Sequence, residues 1–220
     1  MPDLSFEVES AEAVSFAAAP LLAFKLRVTN RPAGEPIHTI ALQCQIMIDP
    51  ARRQYTAQDQ GRMLDLFGEP ERWGRTVRPM LWTHTSVVVT AFTGSTVVDL
   101  PVPCTFDFNI AATKYFAGLK DGEVPLDLLF SGTIFYEAGE GALQITRIPW
   151  EKEARYRLPV QVWERMMEIY YPNSAWLCLR RDVFDKLYHY KMRRGIATWE
   201  QALESVLPDE EGPDGGEIVH

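Results

Sequence analysis

Apolar and polar residues alternate along most of the first two thirds of the chain, with the period of two that belongs to a pleated strand. Leu4, Phe6 and Val8 share one parity, and so do Phe24, Leu26 and Val28. Two prolines and a glycine between Asn30 and Pro36 predict a turn. Ile40, Leu42, Cys44, Ile46 and Ile48 then mark a long strand that stops at Asp49-Pro50. Strand character returns from Trp82 to Phe92, and Thr93-Gly94-Ser95 reads as a hairpin-length turn. Val98, Leu100, Val102, Cys104, Phe106 and Phe108 alternate next, with Pro101 and Pro103 on the opposite parity. Prolines cannot donate to a ladder, so this strand is expected at a sheet edge or with a bend. Val124, Leu126, Leu128, Phe130, Ile134 and Tyr136 give the longest strand, in which Gly132 marks a bulge or a close approach. Leu143 and Ile145 suit a hairpin partner, and Ala154, Tyr156 and Leu158 a last strand.

Helical spacing interrupts this pattern twice and then replaces it. Thr56 and Asp59 form a capping box in which Asp stands for the usual Glu, ahead of Met63, Leu64 and Phe67 on one face; Gly68 and Pro70 stop the helix. Trp73, Pro79 and Trp82 are read as an irregular connection. Ala111, Ala112, Tyr115, Phe116 and Leu119 predict a second short helix. Three C-terminal helices follow: one behind Pro159 with Trp163, Met166, Met167 and Tyr170 on its apolar face; one capped by Asp182 and stopped by Gly195; one opened by Thr198 with Gln201. The expected class is α+β. Its antiparallel, sandwich-like body has about eight strands, a helical insertion and three C-terminal helices. No interior linker is apparent, so residues 1–207 are read as one domain and 208–220 as a disordered acidic tail.

Charge narrows the set of partners. The formal net charge is −8, but Asp209, Glu210, Glu211, Asp214 and Glu217 crowd the tail. Taking those five from 30 acids leaves 25 against 22 bases, a net of −3. A nearly neutral body lacks the basic field that nucleic-acid backbones need, so no nucleic acid is expected as a partner. The N-terminus is acidic and carries no apolar signal region, and the apolar run from Ala17 to Phe24 is too short to span a bilayer. Cys44, Cys104 and Cys178 are odd in number and far apart, which argues against a disulfide framework. A reduced cytoplasmic protein without a membrane segment is expected.

No motif for chemistry stands out, and no catalytic, cofactor-binding or metal-ligating residue is assigned. The cysteines have no CxxC spacing and no nearby histidine, and read as small buried hydrophobes. No GxSxG elbow is present; Thr93-Gly94-Ser95 joins strands rather than opening a helix as a phosphate loop would. Glu151 and Glu153 beside Trp150 suggest an acidic, Trp-rimmed patch for sugar binding or acid–base work, though acids two apart on a strand are more often solvated. Six tryptophans are many for 220 residues. Most are expected to fill the core. The clearest candidates for an exposed partner-binding surface are Tyr170, Tyr171 and Trp176, beside Arg180 and Arg181. The second C-terminal helix also carries Lys186, Lys191, Arg193 and Arg194, a basic face suited to an acidic partner surface.

Several segments together carry a resemblance. These are Leu64-Asp-Leu-Phe-Gly68, Trp82-Thr-His84, Phe92-Thr-Gly-Ser-Thr96, Asp99-Leu-Pro-Val-Pro-Cys104, Phe130-Ser-Gly-Thr133 and Tyr171-Pro-Asn-Ser174. They resemble an uncharacterised bacterial family that bears only a domain-of-unknown-function label, over nearly the whole chain up to the tail. The resemblance implies a setting near nickel–iron uptake hydrogenases, and no catalytic residues. A fainter likeness concerns fold: Gly132-Thr-Ile-Phe135, Trp176-Leu-Cys-Leu179 and Phe184-Asp-Lys-Leu187 are similar in order to segments of the SecB export chaperone, from which the long N-terminal region departs. Three functions follow as expectations. The first is a non-enzymatic accessory protein that binds a protein partner, such as a hydrogenase component or maturation factor. The second is a SecB-like binder of unfolded chains, which would be a homo-oligomer with an exposed apolar groove. The third is a small-ligand binder or hydrolase with a concave site near Trp150, Glu151 and Glu153.

Overall fold

The period-two segments form strands, and every strand pairing is antiparallel. β1 (Asp3–Ala13), β2 (Leu21–Arg31) and β3 (Ile37–Ile48) come first. Short helices α1 (Ala57–Arg62), α2 (Leu64–Phe67) and α3 (Trp73–Thr76) precede β4 (Met80–Val89) and β5 (Ser95–Pro103). Then come α4 (Ile110–Gly118), β6 (Glu123–Ala138), β7 (Ala142–Arg147), β8 (Glu153–Pro159), α5 (Val160–Tyr170), α6 (Arg181–Arg194) and α7 (Trp199–Glu204). The structure is a computed structural model and describes residues 1–104, 110–138, 141–174 and 179–207. The class is α+β, as the periodicity predicts. The chain divides into two units, Met1–Ser174 and Ala175–His220, each of which is taken by itself.

In the first unit a sheet of order β1-β2-β5 faces a larger sheet of order β4-β3-β6-β7, with β8 also on β6. Even-numbered residues of β1 and β2 point inward, so Leu4, Phe6, Leu22, Phe24, Leu26 and Val28 are buried. They meet Ile40, Leu42, Cys44, Ile46 and Ile48 of β3 and Leu126, Leu128 and Phe130 of β6 in one core. The Phe6 and Phe130 rings stack across the sandwich at 4.2 Å, and Phe24 reaches both Trp82 and Tyr156. Phe116 of α4 packs on Trp82 at 4.9 Å and stacks on Trp163 of α5 at 5.2 Å. These two helices extend the core where the strands alone would leave aromatic faces in water. Buried rings of this kind dominate the energetics of a core.

Three local expectations hold. Thr56 and Asp59 form both halves of the capping box. β5 lies at the edge of its sheet, where Pro101 and Pro103 cost no ladder bond beyond the β2 side. Gly132 marks a close approach: its φ is 143°, and a Cβ there would stand 2.1 Å from the Ala41 carbonyl oxygen. Three details differ. Thr93–Ser95 does not close a hairpin, because β4 belongs to the larger sheet and β5 to the smaller. The segment bridges them instead: Phe92 exchanges backbone bonds with Ile37, while the Gly94 carbonyl accepts from the Asn30 N–H at 2.7 Å. Trp73 begins α3 rather than lying in irregular chain, and its indole N–H donates to the Gly68 carbonyl at 2.8 Å. The alternation from Val98 ends as strand at Pro103; Phe106 and Phe108 lie outside the described residues.

The second unit contributes α6 and α7. Gly195 ends α6 in the left-handed conformation, φ 62°, and Thr198 caps α7 by accepting from the Gln201 N–H. Among the described residues of this unit, Ala202 alone is buried. No helix among the described residues is long and apolar enough to cross a membrane.

Candidate functional site

Two places in the molecule depart from what a folded core needs. The first is the outer face of the larger sheet. Its side chains are those of solvent parity on three neighbouring strands. Gln43 of β3 registers with Ser86 of β4 on one side and Ser131 of β6 on the other. Gln45 registers in the same way with His84 and Leu129. Two rows of three side chains thus share one surface. With strands about 4.8 Å apart and alternate residues about 6.8 Å apart, the array measures roughly 10 by 7 Å.

Trp150 stands over this array because of how β6 is paired. The first half of β6 binds β8 and the second half binds β7, on the same side. The chain passes from β7 to β8 through residues 148–152, and β6 grips both ends of that loop. The Ile148 N–H donates to the Gly132 carbonyl at 3.0 Å, and the Phe130 N–H donates to the Lys152 carbonyl at 2.9 Å. Ile148 turns into the core, whereas Trp150 is 91% exposed. Trp150 and the two rows of sheet side chains line a concavity of about 630 Å³. Glu151 and Glu153 do not line it; Glu153 instead sits 3.8 Å from the Arg155 guanidinium. Of the three residues that the sequence grouped here, Trp150 lines the concavity and Glu151 and Glu153 do not. The amides and hydroxyls that join it sit at solvent parity on strands distant in sequence, where they read as ordinary surface.

The outer face of the smaller sheet, by contrast with this patch, is charged. There Lys25 of β2 lies 2.8 Å from both Glu12 and Asp99, and the Arg27 Nε–H donates to Glu9 at 2.6 Å. Those neighbours raise the Lys25 ammonium above its ordinary range, Asp99 first and Glu12 next.

The second place is the surface of α6 and α7. Phe184 lies 5.3 Å from Trp199 and 6.5 Å from Tyr188, so the three rings form a cluster at the surface of this unit. Leu179, Arg181, Phe184, Leu187, Trp199 and Leu203 line a shallow, mainly apolar concavity of about 380 Å³. Lys191 holds its ammonium 5.5 Å from the Trp199 ring, and Arg194 its guanidinium 4.9 Å from that of Tyr190. From Lys186 to Trp199 the chain carries four cations and no carboxylate.

The five predicted partner-binding residues fall in different settings. Tyr170 is half-buried, and its hydroxyl donates to the Val14 carbonyl at 2.7 Å and accepts from the Ala17 N–H at 3.0 Å. That hydroxyl ties α5 to the chain between β1 and β2. Tyr171 closes α5, its N–H donating to the Met167 carbonyl at 2.7 Å. Trp176 lies outside the described residues. Arg180 precedes α6 and pairs with Asp182 at 3.0 Å. Arg181 lines the apolar concavity. The residues that make that surface apolar are Phe184, Leu187, Trp199 and Leu203, none of which the sequence singled out as partner-binding.

Burial alone pushes the Cys44 thiol up to about 12, and burial also raises that of Cys104. Neither has the exposed, electropositive setting of a reactive cysteine. The Tyr55 and Tyr115 hydroxyls share a 2.8 Å hydrogen bond beneath α1–α3, and burial raises both. Among the described residues, no three His, Cys, Asp or Glu side chains are grouped to hold a metal ion. No curated protein matches the chain. The model of one family, a family of unknown function designated DUF6084, matches residues 1–214, almost the full length, and the chain belongs to that family.

Proposed function

We propose that the protein is a non-enzymatic accessory factor that binds a protein partner through the surface of α6 and α7. The observation that carries this reading is the placement of apolar groups in the second unit. An amphipathic helix buries its apolar stripe against another layer. Here Phe184 and Tyr188 are each 44% exposed and Met192 is 59% exposed, while Ala202 is the single buried residue described. Two helices alone supply no second layer. Contiguous apolar surface rimmed by polar groups is the usual mark of a protein contact, with aromatics and arginine as its anchors. The run of cations from Lys186 to Arg194 favours a partner whose rim is acidic.

The resemblance to a hydrogenase-linked family makes a hydrogenase component or maturation factor the first partner to test, in the cytoplasm where reduced cysteines belong. The experiment is an affinity capture from the native host with the full chain and with Phe184→Ala and Trp199→Ala. The reading expects one hydrogenase-related protein with the parent chain and at least about a tenfold loss with each variant. Recovery of no such protein sinks the hydrogenase version. Recovery that both variants leave unchanged sinks the helical surface. Saturable binding of reduced, unfolded chains by an oligomer would support the SecB-like reading instead.

A further inference from the structure

The concavity under Trp150 has a composition that selects for one kind of ligand. Six side chains face it from the sheet: Gln43, Gln45, His84, Ser86, Leu129 and Ser131. Among the described residues, those that line it include no aspartate, glutamate, lysine or arginine. A charged ligand would find no counter-ion there. A wholly apolar ligand would cover two amides and two hydroxyls without giving them partners, and an unpaired buried polar group costs about 1–3 kcal/mol. What the array offers is a set of groups that both donate and accept. The ligand that answers each of them is one whose own groups also donate and accept, namely alcohols.

Trp150 adds the second requirement. Its ring is 91% exposed, yet its loop is pinned at both ends to β6. A large apolar ring held in water beside a polar floor gains by covering an equally flat, apolar face. A pyranose has such a face of C–H groups, with hydroxyls around its rim. The size agrees: an array of roughly 10 by 7 Å spans one to two sugar rings, and a concavity of 630 Å³ lies within the range of small-ligand sites. The lack of charge is local to this patch: further along the same face Glu153 registers with Leu129 and Asp127 lies 3.7 Å from Arg155, while the smaller sheet sets Lys25 between Glu12 and Asp99.

We propose that the outer face of β3, β4 and β6, overhung by Trp150, binds a neutral saccharide. The indole of Trp150 stacks on the C–H face of one ring. The Gln43 and Gln45 amides and the Ser86 and Ser131 hydroxyls take its hydroxyl rim. The site holds no paired carboxylates, so it binds the sugar without cleaving it. An extended peptide is the less suitable occupant, because peptides dock through the backbone of a sheet edge, and this surface presents side chains only.

The test uses the full chain with maltotriose, cellotriose and triacetylchitotriose, followed by titration calorimetry and saturation-transfer NMR. A uronic-acid trimer and an end-blocked triglycine serve as the charged and peptide probes. At least one neutral trisaccharide should saturate with a Kd at or below about 1 mM, and bind at least about tenfold more weakly to Trp150→Ala and to Gln43→Ala. Both substituted side chains face solvent, so the melting temperature of each variant should match the parent. Phe184→Ala should leave saccharide binding unchanged, which separates this site from the partner surface of the second unit. Three results would each overturn the proposal: no saturation by any of the three sugars, binding by Trp150→Ala and Gln43→Ala equal to that of the parent, or a peptide or uronate that binds as tightly.

Discussion

The body and the helical unit put the same side chains to opposite uses. In the body, Phe24, Trp82, Phe116 and Trp163 touch ring to ring and are withdrawn from water. In the helical unit, Phe184, Tyr188 and Trp199 also touch ring to ring, but on a surface. What separates them is the number of layers. Two sheets and two helices close around the first set, while the second set belongs to a pair of helices with one buried alanine among the described residues of that unit. An aromatic residue is therefore informative only once the layers around it are known. Where the described residues of the unit supply no second layer, the ring stays partly in water.

Substitutions can break that comparison, because each side predicts a different size of effect. The largest is expected at Gly132→Ala. Its added methyl meets the Ala41 carbonyl at 2.1 Å in a backbone conformation other residues rarely adopt. Unfolding by urea should show a loss of ~3 kcal/mol or more, or no folded protein at all. Next comes Trp163→Ala, which removes the ring stacked on Phe116 and should cost about 3–5 kcal/mol. Thr56→Ala removes the hydroxyl that accepts from the Asp59 N–H, leaving the backbone half of the capping box, and should cost about 1 kcal/mol. The smallest change is expected at Phe184→Ala: within about 0.5 kcal/mol in the same urea titration. A Phe184→Ala cost comparable with that of Trp163→Ala would mean that the helical rings are core after all, and the contrast would collapse.

Much of this was legible in the chain. The alternation at Ile40–Ile48 and Val124–Tyr136 set the inward face of two long strands, since a period of two leaves no other choice of face. The prolines of β5 placed it at an edge, and Gly132 marked a close approach. Pairing was not legible, because periodicity says which face is buried and not which strand lies alongside. Hence Thr93–Ser95 looked like a hairpin turn while it carries the chain between sheets. The Trp150 site was half legible for the same reason. The tryptophan drew notice as the rim of an acidic patch, but Gln43, Ser86 and Ser131 become its neighbours only through the register of β3 with β4 and β6. At the C-terminal end the helices, the Gly195 stop and the Thr198 cap followed from sequence, whereas Asp182 lies in the first turn of α6 instead of capping it: Arg180 holds the N-cap position without a side-chain cap bond. Whether Phe184 faced a core or a partner did not, because an amphipathic stripe looks alike in both cases.

The central claim is that the α6–α7 surface is where a partner sits, and site-specific photo-crosslinking in the native host tests it most directly. The full chain would carry the crosslinker at Leu187, within the apolar concavity, or at Thr29, on the ion-paired face of the smaller sheet. The account predicts an adduct of one defined mass from Leu187, none from Thr29, and loss of the Leu187 adduct when Trp199→Ala is added. Adducts of the same yield from both positions, or crosslinks from Leu187 only to the chain's own body, would contradict it.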